Sequence, residues 1–435
     1  MNCQVPYWEA LIEGRVPLRG KVAVNGSKNT SFPILAASLL TSEPCLLQNV
    51  PQLWDTEVMR SLLRSLGSDV QIQGEDSLRL QSRATGTGEN YLPDSEGIQK
   101  IRGSIYLMGA LLASQGYVEM PFPGGCNFGE RPIDLHLRGF EGLGAKIERL
   151  KDRVILTIPK EGLKGTTLFL GGPAGASVTG TANVLLAAVK AKGHTRIECA
   201  ACEPEVTELC RVLLTMGARI RGIGSPILEI EGVDTLNGFS HRLSPDRIEA
   251  GTWALLGLCT GHPSEPMLIE PFPHEELGAL LFILHGMGAA WKLDGDCLQI
   301  CGGQKLRATE VHAIPYPGFP TDLQAPLAVL MSLAEGESSI HDHIYSQRFL
   351  YARELKRLGA SCEPFLGGLK MRTSSLRGTR VEATDLRAAA ALYIAGLMAD
   401  GISQITHAEY VDRGYEHFEE KLRHLGAHVE RRAPG

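Results

Sequence analysis

Six stretches of this chain carry almost no charge and recur at near-regular intervals: SFPILAASLL from Ser31, RGSIYLMGALLAS from Arg102, TGTANVLLAAV from Thr179, AGTWALLGLCTG from Ala250, DLQAPLAVLMSLA from Asp322 and LRAAAALYIAGLMA from Leu386. Each is apolar on every side, which predicts a helix buried all round rather than one facing water. After each come a β-like run, a loop and an amphipathic helix that ends in a shared phrase. The phrase reads LLRSLGSDV at Leu62–Val70, GFEGLGAKI at Gly139–Ile147, VLLTMGARI at Val212–Ile220, FILHGMGAAW at Phe282–Trp291, ELKRLGASC at Glu354–Cys362 and KLRHLGAHV at Lys421–Val429. Its glycines, Gly67, Gly144, Gly217, Gly288, Gly359 and Gly426, are 77, 73, 71, 71 and 67 residues apart, the mark of a supersecondary repeat. In each phrase a helical period runs up to a glycine suited to a left-handed helix end, and a strand begins just beyond it. Two short strands follow, as in VQIQ and LRLQS. The pattern predicts an α/β fold of six βαβαββ-type units with helices inside and sheets outside. A chain of 435 residues exceeds one ordinary core, so six units divide into two domains of three.

Charge gathers where the buried helices begin: Ser27-Lys28-Asn29, Ile101-Arg102, Ser177-Val178-Thr179, Asp246-Arg247-Ile248-Glu249, Thr321-Asp322 and Thr384-Asp385-Leu386-Arg387. Ser, Thr and Asp there are ordinary N-caps. Lys28, Arg102 and Arg387 are not, because a cation at the positive end of a helix dipole costs energy. Three such cations predict an anion among them, held also by the free N–H groups of the helix ends.

Composition narrows the anion. Net charge is −6 and there is no dense basic run, which disfavours nucleic acid as the main partner and favours a local pocket for a phosphorylated small molecule. The N-terminus lacks the basic-then-apolar pattern of a signal peptide and no run is long enough to span a membrane, so a soluble, cytoplasmic protein with no membrane partner is expected. Ten scattered cysteines fit a reducing compartment, and the CxxC of Cys199 and Cys202 has no second pair to build a zinc site. Cys126 differs from the rest. It sits in PFPGGCNFGERPIDLH, where prolines and glycines exclude regular structure, with Arg131 five residues on to favour a thiolate.

Several of these motifs together carry a resemblance. SKN at 27–29, GGCxxGxRPIDLH ending at His136, EPE at 203–205, PDRIEAGT at 245–252, PGFPTDLQA at 317–325, ATDLRA at 383–388 and DRGYExxEEKLRxLGA at 412–427 resemble the UDP-N-acetylglucosamine enolpyruvyl transferases, an EPSP synthase-like family. The match runs in order from about residue 15 to 430, with the sixfold repeat in register. It implies a two-domain inside-out α/β barrel, with residues 1–27 and 238–435 in one domain, 28–237 in the other and the active site in the interdomain cleft. The implied reaction moves the enolpyruvyl group of phosphoenolpyruvate onto the 3-hydroxyl of UDP-N-acetylglucosamine by addition and then loss of phosphate, an early step of peptidoglycan synthesis. No cofactor and no metal are implied. By motif position, Lys28, Arg131 and Arg413 hold the phosphate, while Arg102, Arg387 and Arg348 support that cluster or the carboxylate. Cys126 is the general acid that fosfomycin alkylates, and Asp322 is the base for the acceptor hydroxyl. Asn29 contacts the acceptor sugar, Arg131, Pro132, Ile133, Asp134 and Leu135 surround the uridine, and Ser177 and Val178 belong to the diphosphate loop.

Two departures bear on the acceptor. Where the family carries LKD or LRD this chain has Leu53-Trp54-Asp55, and where the family reads KxSVGAT it has Gly175-Ala176-Ser177-Val178-Thr179-Gly180-Thr181. Two cations are lost and Thr179 adds bulk, which leaves open a second acceptor, another uridine nucleotide such as UMP. A silent nucleotide-sugar-binding regulator is the remaining alternative, and it predicts decay among Lys28, Cys126, Arg131, Asp322 and Arg413, all of which are present.

Overall fold

The computed structural model describes residues 7–83, 93–122, 124 and 133–433. Cys126, Arg131 and Pro132 lie outside them. The described chain forms two compact units, one of residues 26–122 and 133–244, the other of residues 7–25 and 245–433.

All six chargeless stretches are buried helices. In the 26–244 unit they are Lys28–Ala37, Tyr106–Gln115 and Val178–Ala188, and in the other Arg247–Thr260, Gln324–Met331 and Leu386–Met398. Every residue of the last is buried, as is every residue of Lys28–Ala37 except Asn29. Helices packed this closely need small contact residues. A Cβ on Gly109 would lie 2.0 Å from the backbone oxygen of Asn183, and one on Gly251 would lie 2.5 Å from Leu323. Two separate apolar cores result, each built around its own three helices.

Sheets wrap each core. Five share one plan: an edge strand runs parallel to its neighbour, and two antiparallel strands follow. In one of them Glu310–Ala313 pairs in parallel with Glu337–Asp342 (Val311 opposite Ile340), then come Gly368–Arg372 and Ser361–Phe365, both antiparallel. Alternation along Glu337–Asp342 buries Ser338, Ile340 and Asp342 and turns Glu337, Ser339 and His341 outward. The sixth sheet has three strands among the described residues, Tyr117–Pro121, Arg153–Thr157 and Lys146–Arg149.

The repeated glycines act as their spacing predicts. All six have φ between +84° and +100°. At each, the glycine N–H donates to the carbonyl three residues back and the next N–H to the carbonyl five back, as in Gly144 N to Glu141 O (2.9 Å) and Ala145 N to Phe140 O (3.0 Å). This closure ends each outer helix and starts the next strand. The chain also exchanges strands. Glu9–Glu13 lies antiparallel between Ile402–Thr406 and Val429–Arg432, in the middle of the last sheet. Ser240–Arg242 runs parallel to Cys45–Gln48, so residues 238–244 go with the 26–244 unit.

Candidate active site

Four buried helices start with a side-chain cap. Ser27 Oγ accepts from Thr30 N (3.3 Å), Ser177 Oγ from Gly180 N (3.1 Å), Asp246 Oδ1 from Ile248 N (2.7 Å) and Asp385 Oδ1 from Arg387 N (2.8 Å). The other two are entered through 3₁₀ turns, Arg102–Ile105 and Thr321–Leu323. Two of these caps are themselves charged, and Asp385 also acts on Arg348 and Asp246 on Arg387.

In the unit of residues 245–433, Asp322 caps no helix. Its Oδ1 accepts from Arg348 Nη1 at 2.7 Å and its Oδ2 from Arg387 Nη2 at 2.9 Å. Both guanidiniums are buried, and Arg387 also lies 5.4 Å from the ring centre of Tyr415. Burial alone would raise the carboxyl of Asp322, but Arg387 and Arg348 outweigh it and hold the group well below the usual carboxylate range. As placed, Asp322 is a weak base. A second layer fixes the arginine: Arg348 Nη1 also donates to Thr321 Oγ1 (3.2 Å), whose hydroxyl donates to Asp342 Oδ2 (2.5 Å), and Gln324 Nε2 donates to the Arg348 carbonyl (2.9 Å). Asp342 is itself held by the N–H groups of Ile344 (2.9 Å) and Tyr345 (2.8 Å).

In the 26–244 unit, Lys28 begins its helix and its Nζ lies 2.7 Å from Asp55 Oδ2, both side chains almost fully buried. The cations at the helix entrances thus meet carboxylates of the chain itself, Asp55 for Lys28 and Asp322 for Arg387. Leu135 lies beside the Gly172 turn and beside Gly180 in the first turn of the Val178–Ala188 helix. Next to them is a buried polar chain. Asn183 Oδ1 accepts from Gly109 N (2.6 Å), and its Nδ2 donates to Ile105 O (2.8 Å) and lies 2.9 Å from His136 Nδ1. An amide NH₂ can only donate, so His136 Nδ1 is the acceptor and Nε2 carries the proton. Nε2 lies 3.2 Å from Thr179 Oγ1, whose own hydrogen is thereby directed elsewhere. Burial, then the charge of Arg102, pushes the imidazole down to about 3, so it is neutral at pH 7.

Asn29 sits in the first turn of its helix and Arg413 closes the Ala408–Arg413 turn. Sequence reasoning missed Asp55, Asp342 and the role of His136. Asp55 carried a signal, an acid just inside a helix start that also buries an apolar face. The role of Asp342 carried none, because the side chains it supports, Thr321 and Gln324, lie 21 and 18 residues away.

Known proteins resemble this chain over nearly its whole length. Residues 12–422 match the family model described as EPSP synthase (3-phosphoshikimate 1-carboxyvinyltransferase). The chain is 40% identical over 419 residues (96% of this chain, 98% of the relative) to a UDP-N-acetylglucosamine 1-carboxyvinyltransferase of Halothermothrix orenii. It is 42% identical over 428 residues (97% and 98%) to UDP-N-acetylglucosamine 1-carboxyvinyltransferase 2 of Carboxydothermus hydrogenoformans. Among solved structures, the enolpyruvyl transferase NikO from Streptomyces tendae matches with a TM-score of 0.88 at 25% identity, over 99% of this chain and 100% of that one. EPSP synthase from Acinetobacter baumannii matches at 0.71 and 20% identity (98% and 100%), and shares the fold. No helix among the described residues is long and apolar enough to cross a membrane.

Proposed function

We propose, for a chain that belongs to the EPSP synthase family and within it to the UDP-N-acetylglucosamine 1-carboxyvinyltransferases, that it transfers the enolpyruvyl group of phosphoenolpyruvate to the 3-hydroxyl of UDP-N-acetylglucosamine with release of phosphate. The reading makes it a transferase of peptidoglycan precursor synthesis, working in the cytoplasm. The observation that carries it is the Asp322 carboxylate between Arg348 and Arg387, a latent base released by an incoming anion.

Phosphoenolpyruvate brings a carboxylate and a phosphate. When either takes over an arginine, Asp322 recovers a lone pair and accepts the proton of the acceptor hydroxyl. The hydroxyl oxygen adds to C2 of phosphoenolpyruvate while C3 takes a proton, a role this reading gives to the Cys126 thiol. C3 then returns a proton and the C2–O bond to phosphate breaks, which restores the double bond. Lys28, Arg131 and Arg413 hold the departing phosphate. Fixed cations aimed at developing charge supply much of the rate enhancement in such sites, because they need no reorganisation. Asn29 and the 133–135 and 177–178 segments hold the nucleotide sugar.

A second acceptor is favoured by one observation. Gly175 and Thr179 stand in the segment that receives the diphosphate, and the Thr179 hydroxyl is a neutral donor rather than a cation. Phosphate release from phosphoenolpyruvate, assayed with UDP-N-acetylglucosamine, UDP and UMP in parallel, decides between them. Release only with the nucleotide sugar supports the main reading, release with UMP alone replaces it, and no release with any uridine nucleotide from pH 6 to 9 removes the transferase reading.

A further inference from the structure

Three histidines and a glutamate share one outward face of the Glu310–Ala313 and Glu337–Asp342 strands, where the family chemistry assigns nothing. The two strands run in parallel, with His312 opposite His341 and Glu310 opposite Ser339. A strand turns alternate side chains to one face, so Glu-x-His on one strand and the first histidine of His-x-His on the next point the same way. The rings of His312 and His341 stack 4.6 Å apart at 10°, and those of His312 and His343 5.2 Å apart at 16°. His312 Nε2 lies 3.0 Å from Glu310 Oε1, and His341 Nε2 lies 3.8 Å from the same oxygen. One ligand atom each from Glu310, His312 and His341 falls within 4.8 Å of the other two.

We infer that Glu310, His312 and His341 form a site for a borderline divalent transition metal, of which Zn²⁺ is the type. Ligands at about 2.0–2.1 Å from a tetrahedral zinc sit roughly 3.3 Å from one another, close to the two separations here. Two imidazoles and a carboxylate match such an ion rather than Mg²⁺, which prefers oxygen ligands. His343 supplies the outer support that metal-binding histidines use. Its Nε2 lies 2.9 Å from His312 Nδ1, so when an ion takes His312 Nε2 in place of the hydrogen bond to Glu310, the proton moves to Nδ1 and is donated to His343. The His341 ring is steadied by an edge contact with Phe365 at 5.0 Å. The nearby cation Lys370 is paired with Glu337 at 3.1 Å, which lessens its opposition to a metal. Beside Glu310 and His341 a surface hollow of about 540 Å³ leaves room for a water or a further ligand on the ion.

The site is a clamp across two strands, and it adjoins the Asp322 cluster through the chain. Between His341 and His343 comes Asp342, whose side chain points inward to Thr321 and Gln324.

The test titrates chelator-stripped full-length protein with Zn²⁺ by calorimetry at pH 7.5, with Mg²⁺ as a control. One Zn²⁺ per chain is expected and no Mg²⁺ at this site. Removing a ligand in His312→Ala or Glu310→Gln weakens the constant at least tenfold, and His343→Ala weakens it by about 10–100-fold as an outer partner does. Zn²⁺ raises the melting temperature of the wild type and leaves that of His312→Ala/His341→Ala unchanged. These side chains stand on the outward sheet face, so the variants fold, and Glu310→Gln preserves shape where alanine does not. Absence of stoichiometric Zn²⁺ binding overturns the proposal. So does binding that the double variant retains in full, which would place the ion elsewhere on the chain.

Discussion

Replacing Asp322 with asparagine keeps its shape and removes its charge. Two buried guanidiniums then lose their shared carboxylate, and the amide offers one acceptor oxygen where the carboxylate offered two. Removing one partner of a buried ion pair costs about 3–5 kcal/mol. Asp322 keeps 24% of its side-chain surface, and Asp385 and Asp246 also act on these arginines, so a smaller cost, about 2–3 kcal/mol, is expected. For a unit of this size 1 kcal/mol moves the melting temperature by about 2–4 °C, so the transition of the 245–433 unit should fall by about 4–12 °C. The dependence on pH has a definite sign. Burial raises the Asp322 carboxyl but Arg387 and Arg348 lower it further, so its stabilisation is present above the unfolded value near 3.9 and is lost as pH falls through the folded one. The gap between wild type and variant should stay level from pH 8 to 5 and close only below about pH 4. Turnover should drop by a factor on the order of a hundred or more, as for a lost general base. Calorimetric melting and phosphate release measure both. An unchanged melting temperature would refute the ion-pair argument, and near-normal turnover would remove Asp322 as the base.

The Lys28–Asp55 pair predicts that Asp55→Ala costs about 3–5 kcal/mol in urea unfolding, whereas Lys28→Met with Asp55→Leu recovers most of that and still lacks turnover. A double variant as unstable as the single one would show that the charges are not the cause. His136 is held neutral by burial, so its folded value near 3 lies below the unfolded one near 6.5 and stability falls as pH drops between them, by up to about 1.4 kcal/mol per pH unit. His136→Gln should flatten that slope in melts taken from pH 7 to 4. Gly144→Ala meets no atom within 4 Å, so only the left-handed backbone at φ +94° opposes it, and about 1–2 kcal/mol should be lost in unfolding titrations with turnover unchanged.

Much of the architecture was legible because it rests on period and punctuation. A helix buried all round must be free of charge beyond its first turn, and a left-handed helix end needs its glycine, so the 386–399 stretch and Gly426 declare themselves locally. The site was legible as a set of residues and hidden as a set of bonds. The excess of cations at helix entrances predicted an anion, yet the anions they meet are Asp55 and Asp322, whose pairing depends on contacts that no local pattern records. Thr179 shows the same limit. As a letter it is only larger than glycine, and the fold puts its hydroxyl against a neutral histidine 43 residues away.

The strand Glu9–Glu13 finds its neighbours at Ile402–Thr406 and Val429–Arg432, which a ribosome makes about 400 residues later. At about 5–20 residues per second, roughly 20–80 s pass between its synthesis and theirs. In that interval the 26–244 unit has all its own strands and can close, while the first strand waits with Ala10 and Ile12 uncovered. The order of synthesis therefore leaves this early strand unsheltered until its late partners are made, and its exposed edge is where nascent chains would pair with one another or need a chaperone's cover.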